Sequence, residues 1–197
     1  SMNKKLAIIH NGIIENYSTI KERLKTRGYK FKSETDTEVL INLIEDVQTH
    51  ENISLFKAVQ LALSQIIGAY AIIVLEVSNP NNLIVAKKGS PLLIGVGYNE
   101  YFVASDASPF LEYTKNVIYL NDNEIAEINK NNIQIRTIEN KLKTPYIQKL
   151  NLELDQIEKG DYETFMLKEI YEQPQAILET LRGRIDSDFN FIKLRGL

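Results

Sequence analysis

The sequence predicts an α+β fold in which helices cover antiparallel sheet. Three observations carry this prediction. Apolar residues recur at helical spacing up to Ile67, the period switches to short apolar runs between turn residues from Ala69 to about Ile138, and helical spacing returns from Tyr162. Helices, then a block of strands, then a helix is the order of an α+β chain rather than of alternating βαβ units.

Taken in order, Lys5 to Ile9 reads as a short buried strand running into Asn11-Gly12. Asn-Gly is the strongest short hairpin signal, but no second alternating run follows. Instead Tyr17, Ile20 and Leu24 recur at helical spacing, Asn16 or Ser18 can cap, and Gly28 stands where a helix C-cap belongs. The unit therefore reads as strand, Asn-Gly turn, helix. Tyr29 and Phe31 alternate with Lys30 and Lys32 as a short half-exposed strand. Thr35-Asp36-Thr37-Glu38 is a capping box opening a helix with Val39, Leu40, Leu43, Ile44 and Val47 on one face. A further helix spans about Ser54 to Ile67 and stops at Gly68.

The runs AYAIIVLEV, NLIVAKK, PLLIGVG, YFVAS, VIYL, EIAEI and NIQIRTI are separated by Asn-, Gly- and Pro-containing turns and read as antiparallel strands. Pro109 to Lys115 suits a helical turn, and 140–160 reads as irregular. The last helix spans about Tyr162 to Arg182, with a kink or break expected at Gln173 before Pro174. After Ile185 no pattern remains.

Composition bounds the function classes. With 44% apolar and 25% charged residues in 197, the chain is an ordinary globular sequence, long enough for one domain, or one plus an appendage. A net charge of −3 argues against a broad nucleic-acid surface. No apolar run approaches the roughly 20 residues of a bilayer span, and the first apolar stretch is too short for a secretory signal. The cysteine count is zero, which removes disulfides, thiolate zinc and thiol nucleophiles from this stretch. Two histidines are too few for a multi-histidine metal site. Cytoplasmic residence and no metal or organic cofactor are the expectations. Ser1-Met2 reads as an expression scar, since Ser does not precede a translation start.

Two segments stand out as chemistry. Asn11-Gly12, beside His10, serves either as a tight turn using positive φ at Gly or as a carboxamide and backbone N–H for a developing oxyanion. Asp36 either completes a cap or pairs with a substrate ammonium. The polar run 33–38 exceeds what capping needs. Gly95-Val96-Gly97 lacks the third glycine of a dinucleotide fingerprint and reads as a turn between strands. Lys87-Lys88-Gly89-Ser90 lacks the P-loop pattern. Lys168, Glu169 and Glu172 read as a solvated helix face with ion pairs.

Together HNGIIENY (10–17), SETDTE (33–38), GAYA (68–71), GSPLLIGVG (89–97), ASDA (104–107) and FMLKEIYEQP (165–174) resemble one family over about residues 3–185. It is the glutamine–fructose-6-phosphate aminotransferase (isomerizing), or glucosamine-6-phosphate synthase, family, in its N-terminal class II glutaminase domain. The resemblance implies an N-terminal-nucleophile hydrolase type α-β-β-α sandwich, here incomplete, with its first strands missing. It implies that Asn11 (side-chain amide) and Gly12 (N–H) form the oxyanion hole and that Asp36 holds the α-amino group of glutamine. The family's nucleophile, an N-terminal Cys, and its upstream Arg-Trp loop are absent from this sequence. The expectation is therefore a truncated, inactive domain with an incomplete glutamine/glutamate pocket. Residues 186–197 would begin a linker toward a sugar isomerase domain, and exposed strand edges would favour self-association. The alternative is a Cys-free, non-catalytic binding or regulatory module related to these glutaminases.

Overall fold

The computed structural model describes residues 1–130, 132–150, 162–181, 185–186 and 191–192. The chain divides into two compact units, Ser1–Asn151 and Leu152–Leu197. In the first, strand β1 (Leu6–Ile14) is followed by helices α1 (Tyr17–Thr26), α2 (Asp36–Glu51) and α3 (Leu55–Leu63). Strands β2 (Gly68–Glu76), β3 (Asn79–Lys88), β4 (Leu93–Val96), β5 (Tyr101–Ala104), β6 (Asn116–Tyr119), β7 (Glu124–Asn129), β8 (Asn132–Thr137), β9 (Leu142–Lys143) and β10 (Ile147–Lys149) follow.

The strands form two sheets, one ordered β1-β2-β3-β7-β8-β9 and the other β10-β6-β4-β5. Alternation along the strands sorts the core. Tyr70, Ile72 and Val74 of β2, Ile84 and Ala86 of β3 and Ile125 of β7 pack with Leu24, Leu40, Ile44 and Val59 of the helices. Their neighbours Ala71, Val85, Ala126 and Ile128 turn the other way and pack with Ile94 and Ile118 of the second sheet. β2 is buried on both faces, which is why GAYAIIVLE reads as a continuous apolar run.

Each expected strand run from Ala69 to Ile138 forms a strand. Several local readings are corrected. β9 and β10 form within the stretch expected to be irregular, β9 pairing with β8 and β10 with β6. Asn11-Gly12 is no turn: β1 continues through it to Ile14, paired with Ala71 and Tyr70. The alternation at 29–32 is no strand, because nothing lies beside it to pair with; Tyr29 and Phe31 instead tuck their rings against the helix core. Gly95 and Val96 lie inside β4 rather than in a turn, and Gly95 is needed because the Phe110 ring comes within 2.9 Å of where its Cβ would be. Phe110 itself ends a short 3₁₀ turn, Ser108–Phe110, at the place expected for a helical turn.

The helix ends follow the local chemistry. α1 closes with Gly28 N–H on the Lys25 carbonyl and Tyr29 N–H on the Leu24 carbonyl, a Schellman arrangement with Gly28 at φ +92°. Asn16 does not cap α1; its amide instead donates to the Gln65 carbonyl and accepts from Ile67 N–H, tying α1 to the start of β2. α3 ends at Leu63, short of the expected Ile67.

In the second unit, α4 (Phe165–Leu181) starts with Thr164 Oγ1 accepting the Leu167 N–H at 3.1 Å. It runs on through Pro174 rather than breaking at Gln173, although Pro174 has no N–H to offer the Ile170 carbonyl. Lys168 pairs with Glu172 one turn on, at 3.7 Å. Ile185–Asp186 (β11) pairs with Phe191–Ile192 (β12), a short ladder beyond the point where no pattern was expected. Arg182 lies outside the described residues, as do residues 151–160 of the stretch expected to be irregular.

Candidate functional site

The candidate residues gather on β1, the edge strand of the larger sheet. Glu15 N–H donates to the Ile67 carbonyl and Val77 N–H to the Lys5 carbonyl, so the odd-numbered residues face β2. Even-numbered residues present their N–H groups to the open edge. Two of these are already taken: Leu6 N–H donates to Ser1 Oγ, and Ile14 N–H donates to Asp36 Oδ2 at 2.8 Å. Side chains alternate across the sheet, so Leu6, Ile8, His10 and Ile14 face the helices while Ile9, Asn11 and Ile13 face away. Gly12 sits at φ +140°, a conformation open to glycine, because the Ala69 carbonyl occupies the space of a side chain.

Asp36 arrives at this edge as the first residue of α2. The rest of the polar run explains why it is free to do so. Thr35 Oγ1 accepts the Glu38 N–H, and the Glu38 carboxylate accepts from Lys32 N–H, Ser33 N–H and Ser33 Oγ–H at 2.6–2.8 Å. Burial works against the charged form of Glu38, yet these donors together hold its carboxyl below the usual range. The expected capping box is therefore displaced, with Glu38 reaching past Thr35 to the preceding backbone. Glu34 pairs with Lys21 at 2.8 Å, and that ammonium also lies 5.3 Å over the Phe31 ring. Capping is complete without the Asp36 carboxylate, which bridges instead to β1.

His10 completes the cluster. Its side chain is 1% exposed, with Nδ1 at 2.9 Å from Thr37 Oγ1 and 3.9 Å from Asp36 Oδ1. Sequence reading noted His10 only as a neighbour of Asn11 and gave Thr37 no role. The signal was available, because His10 shares the parity of Leu6, Ile8 and Ile14, the inward face.

Burial pushes the His10 imidazole below its ordinary pKa of 6.5, and the Asp36 charge only partly opposes this. The unfolded chain therefore binds the proton more tightly than the folded one just below that value. Stability from this group is present above about pH 6.5 and is lost as pH falls through the window beneath it. The urea midpoint is expected to begin falling near that pH, before the carboxylates titrate, and His10→Asn is expected to delay the fall. A wild-type midpoint flat down to the carboxylate range would contradict this.

A cavity of about 510 Å³ lies elsewhere, between α1 and the 29–34 segment. Of the charged residues lining it, Lys21 pairs with Glu34 and Lys25 with Glu22. Among the described residues no group of three or more His, Asp or Glu side chains is placed to hold a metal ion, and no helix is long and apolar enough to cross a membrane.

Two sheets packed face to face, with helices on the outer face of one, form the N-terminal-nucleophile type fold. Solved glutamine amidotransferases share it. The glutamine phosphoribosylpyrophosphate amidotransferase of B. subtilis superposes with a TM-score of 0.60 at 29% identity, covering 70% of this chain and 30% of that one. Residues 1–112 match the model of the glutamine amidotransferase domain, and the chain belongs to that family. Among curated proteins, the glutamine–fructose-6-phosphate aminotransferase (isomerizing) of Bacteroides thetaiotaomicron is 51% identical over 195 residues, 98% of this chain and 32% of the relative. That of Chlorobaculum tepidum is 44% identical over 193 residues, 98% of this chain and 31% of the relative. The chain thus spans about a third of the length of these relatives.

Proposed function

We propose that this chain is the ammonia-supplying glutaminase domain of a cytoplasmic enzyme that converts fructose 6-phosphate and glutamine to glucosamine 6-phosphate and glutamate. The observation that carries the reading is the 51% identity over 98% of the chain to an aminotransferase of that name. In it, residues 3–185 form part of the glutaminase domain, and 186–197 lead toward a sugar isomerase domain. Asp36 receives the α-ammonium of glutamine, and the side-chain amide of Asn11 and the N–H of Gly12 stabilise the oxyanion. Supporting this, Asp36 is held two residues along β1 from Gly12, and strand alternation directs the Gly12 N–H to the same open edge as that of Ile14. Each oxyanion donor is worth about 3 kcal/mol of transition-state stabilisation. The attacking thiolate is not in this sequence, which contains no cysteine.

Two measurements test the reading. Purified chain incubated with glutamine is expected to release no glutamate; turnover would overturn the inactive assignment. Glutamate titrated into labelled chain is expected to shift the amide signals of Asn11, Gly12 and Ile14. Asp36→Asn is expected to weaken that binding about 10- to 100-fold, the worth of one charged hydrogen bond. Equal affinity for the variant would remove Asp36 from the site.

Self-association belongs to the same reading. Ile9 and Ile13 are 68% and 71% exposed beside the free edge of β1. Next to them an apolar cleft of about 320 Å³ opens between the sheets, lined by Ala7, Ile9, Ile73, Leu83, Tyr101 and Val103. Light scattering is expected to show mass rising with concentration, and Ile13→Lys to suppress the rise. A monomer at every concentration would contradict it.

A further inference from the structure

We infer that His10 is a positioning residue for the amino-group site: its Nδ1–H donates to Thr37 Oγ1, whose hydroxyl is turned toward Asp36 Oδ1, so a buried imidazole orients the carboxylate through one hydroxyl. The inference rests on the proposed role of Asp36 as the partner of the ligand ammonium.

The geometry sets the direction of the chain. Thr37 Oγ1 lies 2.9 Å from His10 Nδ1 and makes a longer contact of 3.5 Å to Asp36 Oδ1. A hydroxyl has one proton. If it serves the carboxylate, Nδ1 must be the donor and Nε2 the bare acceptor. In the opposite tautomer, Nε2 would carry an N–H, yet Nε2 is buried with no hydrogen-bond partner. An unpaired buried N–H is the rarer and costlier arrangement. The Nδ1–H tautomer also turns its positive end toward Asp36, while Ile14 N–H holds the other carboxylate oxygen at 2.8 Å.

A neutral ring suits the task. An imidazolium 3.9 Å from Asp36 would compete with the ligand ammonium for the same carboxylate. Burial keeps the ring uncharged at neutral pH. Asp36 is the charged group against it from α2. In β2, Ile72 stands opposite, and Tyr70, diagonally across, is a neutral phenol whose pKa is pushed up to about 12. The ring can therefore orient Asp36 without neutralising it.

The test uses the chain labelled with ¹⁵N. Long-range ¹H–¹⁵N spectra resolve its two histidines, with the exposed His50 as internal reference. Nδ1–H is expected for His10, and an Nε2–H tautomer would overturn the inference. The second readout is amide exchange at Ile14, whose N–H depends on Asp36 staying in place. Thr37→Val and His10→Phe are each expected to speed it about fivefold, the worth of one hydrogen bond. The Glu15 amide, bonded to Ile67, should be unchanged. His10→Asn, which restores a donor near the Nδ1 position, should keep the Ile14 rate. Exchange unaltered in Thr37→Val, or rising equally at Ile14 and Glu15, would show that His10 and Thr37 do not orient Asp36. Should the tautomer and the Ile14 effect appear while glutamate fails to bind, the reading of Asp36 as an amino-group site falls and the positioning chain stands.

Discussion

Replacing Gly12 by alanine is expected to destabilise the fold by about 3–5 kcal/mol, among the largest effects a single methyl can have. Two causes add. At φ +140° an L side chain is strained, and the new Cβ would lie 2.2 Å from the Ala69 carbonyl oxygen and 2.9 Å from the Tyr70 Cα. Those atoms are backbone of β2, the strand buried on both faces, so they cannot swing aside as a flexible side chain would. Relief must come from β1 moving off β2, which breaks the ladder at the candidate site. Gly28→Ala is the control: Gly28 also has positive φ, +92°, but nothing lies within 4 Å of its Cβ position. Its cost is expected near 1 kcal/mol, from conformation alone. Urea unfolding of both variants checks the difference, and equal midpoints would sink the steric argument.

Leu40→Ala is expected to cost about 3–5 kcal/mol, the transfer free energy of the lost atoms plus the cavity left behind. Leu40 is fully buried in the layer between the helices and the larger sheet, one turn along α2 from Asp36. Ile44, Val59, Tyr70 and Ile72 of the same core are equally enclosed, so the site has little freedom to collapse. Val77→Ala, at a residue 64% exposed, should stay within about 0.5 kcal/mol of wild type. Because Leu40 anchors the first turn of α2, the cavity should also loosen Asp36 and speed exchange at Ile14. A loss below 1 kcal/mol for Leu40→Ala would mean that the helix layer is not packed on the sheet as described.

Much of the architecture was legible because it is local. The switch from helical to strand period at Ala69 is written in the spacing of apolar side chains. The cap of α2 is written in Thr35, which accepts the expected Glu38 N–H. Asn11-Gly12 was legible only in part. Its need for positive φ at glycine was correctly read, but a turn was inferred where the chain runs straight. What requires glycine there is the Ala69 carbonyl, brought alongside from far downstream. The reverse error at 29–32 has the same origin: alternation describes which side chains point inward, and a strand also needs a neighbour.

Residue type and near spacing alone were enough for the fold class, for the strands of the two sheets other than β9 and β10, for the family resemblance and for the candidates Asn11, Gly12 and Asp36. It took the docked structure to show that Glu38 reaches back to Lys32 and Ser33, that the Asp36 carboxylate goes to Ile14 instead of the cap, and that His10 and Thr37 stand behind it. The physical reason is that a hydrogen bond between α2 and an edge strand depends on how the helix layer docks on the sheet. That docking is set by the summed burial of many apolar side chains, and no short stretch of sequence records it.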